Sequence, residues 1–322
     1  MNQSNENVIH TKGLSKSYKN VDALKPLNLT VQKNSIFGFL GPNGAGKTTT
    51  IKLLLGLIQP TLGTGTIFDH DIVRDSIAIR RRVGYLPQEP RFYEYMTARQ
   101  TLDFTARFFF RGPEAEIKKR VQETLDLVGL TDKADRPIKT FSGGERQRLG
   151  IGQAQVNYPD LLILDEPAAS LDPLGRRDVL EVMETLRKYA TVFYSTHILD
   201  DVQRVSDTVA ILNHGELVTY GAIETLLAGS GGVVYTIKAR GEAGGMHEKI
   251  STQPWVSHVE LGNKDGEIEL TVTVTDQQAA EAQLARLILS DERNSLSEFK
   301  RKTYDLEEVF METVEGANHG RK

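Results

Sequence analysis

A glycine-rich loop near the N-terminus carries the residue types that predict the most specific chemistry. Residues 41–49 read GPNGAGKTT and match the pattern G-x-x-x-x-G-K-[ST], between an apolar strand-length run and a helical stretch. Glycines let the backbone turn its N–H groups toward phosphate oxygens, and the following helix aims its partial positive charge at the same anion. The loop therefore predicts nucleotide-phosphate binding by Asn43, Gly44, Ala45, Gly46, Lys47, Thr48 and Thr49.

Two side chains of this loop have distinct predicted tasks. Lys47 brings a full positive charge to the β and γ phosphates. The Thr48 hydroxyl is a suitable ligand for Mg²⁺, which prefers oxygen donors.

Other polar residues follow apolar runs that predict strands. Ligands of open α/β sheets bind outside the carboxyl ends of the strands. Taken alone, a histidine here is more often structural and a glutamine more often an ordinary loop residue. Together with the glycine-rich loop, they predict one nucleotide site that includes Gln88 after 83–86, Asp165 and Glu166 after 161–164, and His197 after 192–195.

The adjacent carboxylates Asp165 and Glu166 are expected to have different roles. Successive strand residues point to opposite faces, so one carboxylate can address Mg²⁺ while its neighbour faces the attacking water. Phosphoryl transfer depends on positioning and charge neutralisation more than on covalent chemistry. Glu166 is the predicted residue that polarises the water, and the alternative is that it only caps a neighbouring segment.

Two further segments predict helix N-termini. Ser142-x-x-Glu145 is a capping box, and Gly143 and Gly144 between them leave N–H groups free to face an anion. Asp172 followed by proline predicts another N-cap.

Composition excludes several classes of protein. The chain has 322 residues, a formal net charge of −4, 39% hydrophobic and 25% charged residues, and no cysteine. No nucleic-acid partner is expected because there is no basic excess. Disulfides, cysteine-bound zinc, iron–sulfur clusters and thiol catalysis are excluded. We expect neither a signal peptide nor a membrane-spanning helix, since the apolar runs are only strand-length.

The order of predicted elements indicates two domains. Residues 1–228 predict an open, mostly parallel α/β sheet with a helical insertion at about 92–155, including helices at 101–109 and 114–128. A flexible joint at 229–232 separates a small α+β domain, 229–322. Its predicted elements are a strand at 233–239, a hairpin of 256–261 and 268–274, and helices at 279–289 and 306–314.

Over about residues 1–225 the sequence resembles the ATP-binding cassette (ABC) family. Residues 41–49 resemble its Walker A motif and 161–166 its Walker B motif. Gln88 stands at the position of the Q-loop glutamine, 170–172 resemble the D-loop, and His197 resembles the switch histidine. Tyr18 stands where the family places an aromatic residue against adenine, and 141–147 resemble the signature, usually written L-S-G-G-Q.

This resemblance implies a P-loop NTPase cassette with a helical subdomain that hydrolyses ATP. It implies catalytic roles for Glu166 and His197 and Mg²⁺ binding near Thr48, Gln88 and Asp165. Two subunits, identical or different, would bury two ATP molecules, each also contacted by the opposite subunit's signature residues Ser142, Gly143, Gly144 and Glu145. Asp172 would be the D-loop residue. Glu145 departs from the usual glutamine, and because a carboxylate repels phosphate we expect it to point back to its own helix cap.

The resemblance further implies a transporter motor that works with separate integral membrane permease subunits at the cytoplasmic face of the membrane. In the family, residues equivalent to 87–97 and the helical insertion usually receive a coupling helix from the permease. Residues 304–310 resemble a segment of bacterial type-2 exporter ATPases, which export drugs, lipids, sodium or polysaccharides and often carry a C-terminal accessory domain. The exporter is the favoured interpretation.

Three alternatives stay open at this point. One is an importer ATPase whose C-terminal domain senses a ligand. A second is a soluble ABC protein of translation or DNA repair, although such proteins generally have two cassettes, long coiled coils or cysteine-bound zinc. The third is a kinase-like P-loop protein, which would need neither the signature segment nor His197.

Overall fold

The computed structural model describes residues 7–19, 21–227, 233–264, 267–302 and 306–308. The chain forms two compact units, and the division lies between Ile223 and Glu224. No helix within these described ranges is both long and apolar enough to cross a membrane.

The strands and helices of the first unit alternate along the chain. The strands are β1 (Asn7–Tyr18), β2 (Val21–Gln32), β3 (Ile36–Leu40), β4 (Leu62–Ile67), β5 (His70–Asp71), β6 (Val83–Leu86), β7 (Leu161–Asp165), β8 (Thr191–Thr196), β9 (Thr208–Asn213) and β10 (Glu216–Ala222). The helices are α1 (Lys47–Leu54), α2 (Ser76–Arg82), α3 (Ala98–Phe109), α4 (Glu114–Leu127), α5 (Gly143–Gln155), α6 (Pro173–Leu186), α7 (Leu199–Val205) and α8 (Ile223–Leu227), which spans the division.

The central sheet of the first unit is mostly parallel, as predicted. Its six strands have the order β10-β9-β3-β8-β7-β6, and all neighbours are parallel except the antiparallel pair β10 and β9. Every residue of β3, β7 and β8 is buried, which explains why these strands are rich in apolar residues on both faces. The register places Asp165 opposite Ser195 and Leu40 opposite Thr196, so the carboxyl ends of three strands meet at one edge.

A second sheet packs against the first and was not predicted from the sequence. It is antiparallel, with the order β2-β1-β4-β5, and its apolar side chains share a core with β3 and α1. Phe37 and Phe193 stack in this core with ring centroids 5.4 Å apart. Several register shifts interrupt the pairing of β1 with β2, so the alternation that marks a strand is broken.

Helices α3 and α4 confirm the helices predicted at 101–109 and 114–128, and α5 follows them in the chain. Helix α3 begins at Ala98, before the predicted start, because Thr97 and Gln100 form a capping box ahead of it. The buried Arg120 of α4 donates hydrogen bonds to the carbonyl oxygens of Gln155 (2.5 Å) and Val156 (2.8 Å) at the end of α5. Arg120 therefore satisfies carbonyl groups that the helix end leaves without intrahelical partners.

The second unit has the α+β composition that the sequence predicts. Its elements are β11 (Val233–Arg240), α9 (Ala243–Ser251), β12 (Val256–Lys264), β13 (Glu267–Val274), α10 (Gln277–Leu289) and β14 (Ser295–Lys302). The sheet order is β12-β13-β11-β14 with every neighbouring pair antiparallel. The order of elements, βαββαβ, is that of a ferredoxin-like fold.

One apolar core joins the sheet and both helices of this second unit. It includes Ile237, Leu270 and Val272 from the strands and Ile250 and Leu284 from the helices. Helix α9 and strand β14 were not predicted. The predicted joint at 229–232 lies outside the described residues, as do most of the predicted helix at 306–314 and most of segment 304–310.

Candidate functional site

The glycine-rich loop lies between β3 and α1 and is held close to two backbone carbonyl groups. A Cβ atom at Gly41 would lie 2.4 Å from the Leu212 carbonyl oxygen, and one at Gly46 would lie 2.6 Å from the Ala23 oxygen. Gly46 also has a φ angle of 105°, which side-chain-bearing residues rarely adopt. Only glycine fits these two positions, so the loop conformation explains the spacing of the motif.

The Lys47 ammonium lies at the centre of the site. Its Nζ donates to the carbonyl oxygens of Gly41 (2.5 Å) and Pro42 (3.3 Å) and lies 3.0 Å from Glu166 Oε1. The side chain is only 6% exposed. A buried charge held mainly by weak neutral acceptors and one carboxylate is suited to bind an incoming polyanion.

Asp165 connects the glycine-rich loop to β8. Its Oδ2 accepts a hydrogen bond from the Thr48 hydroxyl at 3.0 Å, and its Oδ1 accepts one from the Ser195 hydroxyl at 2.5 Å. Burial, and secondarily the Asp165 charge, raises the pKa of the neighbouring Tyr85 to about 12. Ser195 was not predicted as a site residue, because a serine inside an apolar strand carries no distinctive pattern.

Glu166 has a different backbone conformation from the one assumed in the sequence argument. Strand β7 ends at Asp165, and Glu166 is left-handed, with a φ angle of 52°. Its N–H donates to the backbone oxygen (3.1 Å) and hydroxyl (3.0 Å) of Ser195, which fixes this conformation. The prediction that Asp165 and Glu166 alternate along one strand is therefore wrong, since only Asp165 belongs to β7 and Glu166 adopts a left-handed conformation after it.

The Glu166 carboxylate joins two other predicted residues. Oε1 pairs with Lys47, and Oε2 lies 2.9 Å from Nδ1 of His197, which follows β8. Glu166 is almost fully buried, whereas the His197 side chain is 43% exposed. The structure thus brings Lys47, Glu166 and His197 into one continuous chain of polar contacts.

Lys47 and Glu166 face a cavity of about 290 Å³, whereas Asp165 and His197 contact the residues of this cavity without belonging to its lining. Its lining includes the predicted loop residues, the buried Glu166 and the exposed Gln88, together with Ala23 and Pro42, which were not predicted as site residues. The complete lining is Ala23, Pro42, Asn43, Gly44, Ala45, Gly46, Lys47, Thr48, Thr49, Gln88 and Glu166.

Comparisons with known proteins agree with this geometry. A family model described as ABC transporter matches residues 24–169. The chain is 35% identical over 307 residues to the ABC transporter ATP-binding protein YxlF of Bacillus subtilis, a match covering 95% of this chain and 99% of that protein. The chain belongs to the ABC transporter ATP-binding protein family.

Two further comparisons extend this result. The daunorubicin/doxorubicin resistance ATP-binding protein DrrA of Streptomyces peucetius is 36% identical over 240 residues, covering 74% of this chain and 72% of DrrA. The ATP-binding cassette MJ0796, in a dimeric post-hydrolysis structure bound to ADP and Pi, has 25% identity and a TM-score of 0.61, covering 67% of this chain and 98% of that one. The protein is an ATP-binding and ATP-hydrolysing subunit of an ABC transporter.

Several predicted site residues of this ABC ATPase do not line its cavity. Tyr18 is 47% exposed, and the Lys16 Nζ lies over its ring, 4.9 Å from the centroid. Asp172 accepts a hydrogen bond from the Gly175 N–H at 3.2 Å and caps α6, as predicted. The signature segment, 142–145, begins α5 and likewise lies outside the lining.

The signature of the ABC ATPase packs directly on the start of α6. A Cβ at Gly144 would lie 3.2 Å from the Gly175 Cα, and one at Gly143 would lie 3.4 Å from the Leu171 side chain. Ser142 and Glu145 form both hydrogen bonds of the predicted capping box, at 2.8 and 3.2 Å. The N-termini of α5 and α6 are therefore close together, and both are capped from within.

An ion pair that the sequence did not predict connects α6 to α7 of the ABC ATPase. Arg176 Nε lies 2.5 Å from Oδ1 of Asp201, and Asp201 is only 1% exposed. Burial raises the pKa of Asp201, and the Arg176 charge only partly offsets this effect. The pair links the helix that follows Asp172 to the helix that follows His197.

Proposed function

We propose that the loop 43–49 holds the phosphates of ATP, with Lys47 as the principal charge. The observation that carries this proposal is the position of Lys47 Nζ, buried beside the cavity and paired with Glu166. Bound phosphate offers Lys47 a stronger acceptor than the carbonyl oxygens of Gly41 and Pro42.

Thr48, Asp165 and Gln88 would hold Mg²⁺ together with ATP. Mg²⁺ takes oxygen ligands, keeps several waters and usually needs one or two carboxylates plus substrate phosphates. The Thr48 hydroxyl and the Asp165 carboxylate lie 3.0 Å apart, and Gln88 lines the same cavity as Thr48. Within the described part of the chain, no cluster of three His, Cys, Asp or Glu residues could hold a metal alone, so the nucleotide would supply the remaining ligands.

Glu166 would orient and polarise the attacking water, and His197 would hold the Glu166 carboxylate in place. Once a phosphate binds Lys47, Glu166 Oε1 is available to accept a hydrogen bond from water. At the same time, the contact of 2.9 Å between His197 Nδ1 and Glu166 Oε2 keeps that second oxygen in place. This arrangement provides the positioning that phosphoryl transfer requires.

A second ABC subunit would complete each site, in a homodimer or a heterodimer. Ser142, Gly143, Gly144, Glu145 and Asp172 lie outside the cavity of their own subunit but occupy two adjacent helix N-termini. Such N-termini favour an anion, and the γ-phosphate on the opposite subunit would be that anion. Tyr18 is exposed and would be free to stack on adenine.

The proposed partner in the membrane is a permease that docks on the helical region of the cassette. Phe108 and Phe109 are exposed aromatic residues at the end of α3, and Phe109 lines a second cavity of about 290 Å³ together with residues of β6 and α5. Exposed aromatic residues clustered beside a cavity mark interaction surfaces. The lining of this cavity includes Pro87 and Pro90, which lie on either side of Gln88 in the chain, so a docked segment would lie close to ATP.

We assign the cassette to residues 1–228 and an accessory domain to residues 229–322.

We propose that the transporter exports its substrate. The support is the likeness to DrrA, whose name records resistance to a drug, since resistance follows from removal of a toxic compound. The cassette would then act at the cytoplasmic face of the membrane, where ATP is available.

The test is affinity purification of the tagged full-length chain from detergent-solubilised membranes of its native source, followed by mass spectrometry. We expect a polytopic membrane protein in stoichiometric amount. Phe108→Asp should release this protein, because a charge replaces an exposed aromatic residue on the docking surface. Tyr189→Asp is the matched control, since Tyr189 is exposed elsewhere, after α6, and should leave recovery unchanged.

Recovery of soluble partners only, with ATP binding intact, would contradict the proposal of a membrane permease. Equal recovery with Phe108→Asp and Tyr189→Asp would contradict the docking surface. Uptake of a substrate into right-side-out vesicles, driven by hydrolysis of ATP inside the vesicles, would contradict the proposed direction.

A further inference from the structure

The signature of this chain contains a charge that should hinder its proposed function. Glu145 occupies the position where the family pattern has a neutral glutamine. An uncompensated carboxylate at the N-terminus of α5 would repel the γ-phosphate of an ATP bound to the opposite subunit. The capping box satisfies only one of its two oxygens, because Oε2 accepts the Ser142 N–H.

The second oxygen of Glu145 is paired with Lys133. Lys133 Nζ lies 2.8 Å from Glu145 Oε1, and the two side chains are 30% and 12% exposed. Burial raises the pKa of Glu145, but the Lys133 ammonium and the Ser142 N–H more than offset this and hold the pKa below its ordinary value. Glu145 is therefore ionised at neutral pH and has an ammonium in direct contact.

The backbone around Lys133 is well anchored. The short 3-10 turn Thr131–Lys133 follows α4. The Leu130 N–H before it donates to the Leu125 carbonyl oxygen of α4 at 2.9 Å, and the Lys133 N–H donates to the Leu130 carbonyl oxygen at 3.1 Å. The next residue, Ala134, is buried and accepts a hydrogen bond from the Arg99 N–H of α3 at 2.9 Å. Both ends of the turn are thus fixed to helices, and the ammonium is positioned against α5 in advance.

Arg136 is the other cation that acts on Glu145, through its charge alone. Its guanidinium donates to Thr140, at 3.4 Å from the hydroxyl and 3.5 Å from the carbonyl oxygen. Arg146, the next residue of α5, is engaged with both carboxylate oxygens of Glu94, each at 2.7 Å. Among these cations Lys133 alone contacts the Glu145 carboxylate.

We propose that Lys133 is a positioning residue for ATP binding in trans: it neutralises Glu145 and holds the carboxylate against the helix cap, so that the N-terminus of α5 stays attractive to the γ-phosphate on the opposite subunit. This inference rests on the proposed sandwich dimer. It explains how an acidic signature is compatible with binding a polyanion.

The test is a double-mutant cycle made from Lys133→Met, Glu145→Gln and both together. All variants carry Glu166→Gln, so that ATP-bound dimers accumulate, and dimer formation is followed by light scattering as ATP is added. We expect Lys133→Met to raise the half-saturating ATP concentration about three- to tenfold, since it leaves Glu145 uncompensated near the phosphate. The increase should shrink at high salt, which screens charge repulsion.

The decisive comparison is the double variant. When residue 145 is a neutral glutamine, Lys133→Met should change the half-saturating ATP concentration less than twofold. Lys133→Arg should behave as the parent, and Lys119→Met is the matched control. Lys119 belongs to an exposed ion pair with Glu123 in α4 and should have no effect.

Three results would overturn the inference. An unchanged ATP requirement in Lys133→Met would do so, and so would an equal defect with and without Glu145, because Lys133 would then act only on the structure. Thermal unfolding gives the third result: if Lys133→Met loses its folded structure and adding Glu145→Gln does not restore it, the inference is also overturned. If the Glu166→Gln parent binds ATP but never dimerises, the proposed function fails and the inference with it.

Discussion

Replacement of Glu166 by glutamine should change nucleotide affinity and turnover in opposite directions. The side chain keeps its shape but loses its charge, and two contacts depend on that charge. Glu166 Oε1 pairs with Lys47 at 3.0 Å and Oε2 contacts His197 at 2.9 Å. Both Lys47 and Glu166 are about 95% buried, so their pairing is poorly screened by water.

The effect on affinity follows from competition for Lys47. Nucleotide phosphate must draw the Lys47 ammonium away from residue 166. In the parent protein this breaks a charge-assisted hydrogen bond to the glutamate, and in the variant it breaks a weaker bond to a neutral amide, so the free-energy cost is smaller in the variant. That difference is about 1–2 kcal/mol, equivalent to roughly five- to thirtyfold in the dissociation constant. Glutamine at position 166 should therefore tighten nucleotide binding by about this factor.

The effect on turnover follows from loss of the group that polarises water. A positioned general base contributes roughly 10²–10⁴-fold to a rate, or about 3–5 kcal/mol of barrier. A neutral amide at position 166 cannot accept a proton from the attacking water. We expect kcat to fall by this factor while the overall fold is retained.

The assay combines titration with fluorescent ADP and ATP and measurement of phosphate release at saturating ATP. Binding of ADP separates the effect of freeing Lys47 from the effect of dimer formation. ADP lacks the γ-phosphate, so its affinity should change with the Lys47–Glu166 pairing but not with closure of the dimer. Glu114→Gln is the matched control, because Glu114 pairs with Arg107 at 2.8 Å on the surface. Weaker ADP binding by Glu166→Gln would refute the competition argument, and near-normal turnover would refute the catalytic assignment.

Two further predictions concern stability. Asp201→Ala leaves Arg176 without its buried partner and should lower the free energy of unfolding by about 2–3 kcal/mol. Replacing both residues, by Arg176→Met and Asp201→Leu, should lower it by less than about 1 kcal/mol. Urea unfolding measures both values, and equal losses would contradict this prediction. The neighbouring ammonium groups of Lys238 and Lys300 lower the pKa of Glu298 from 4.5 to about 2, so its stabilising contribution is complete above pH 4.5 and is lost as the pH falls toward 2. Glu298→Gln should flatten this acid limb in pH-dependent thermal unfolding, and an unchanged limb would refute the assignment.

The sequence predicts best those strands whose residues are all buried. Strands β3 and β7 are buried on both faces, so their apolar runs stand out from the flanking polar residues. Strands β1 and β2 were missed because bulges interrupt their pairing and their burial does not alternate strictly. Helix α9 was missed because its first turn contains Gly244 and Gly245, which disfavour a helix by about 1 kcal/mol each.

Strand β14 shows a different limit of sequence reasoning. It reads SLSEFKRK and has too few apolar residues to suggest a strand. Its neighbour in the sheet supplies the missing stabilisation, since Lys238 of β11 pairs with Glu298 at 2.8 Å and Tyr235 stacks on Phe299 at 5.2 Å. Such cross-strand pairs exist only once the fold has formed, so a local pattern cannot reveal them.

Site residues are likewise predictable where the local sequence places them, and are missed where contacts between distant parts of the chain place them. The glycine-rich loop, Asp165, Glu166 and Gln88 were predictable because each occupies a fixed offset from a strand end. Ser195 became visible only through the register of β7 with β8, which places it opposite Asp165. The Arg176–Asp201 pair likewise depends on how α6 packs on α7.

Glu145 shows how a correct local rule leads to an incomplete electrostatic conclusion. The capping box spans three residues, so the sequence alone predicts that one carboxylate oxygen turns back to Ser142, and it does. The other oxygen meets Lys133, which reaches α5 only because a turn after α4 packs there. From the sequence, Glu145 is a negative charge that opposes phosphate binding; in the folded chain it is half of an ion pair. The sign of its effect on ATP is therefore set by a tertiary contact, and replacing Lys133 tests that contact directly.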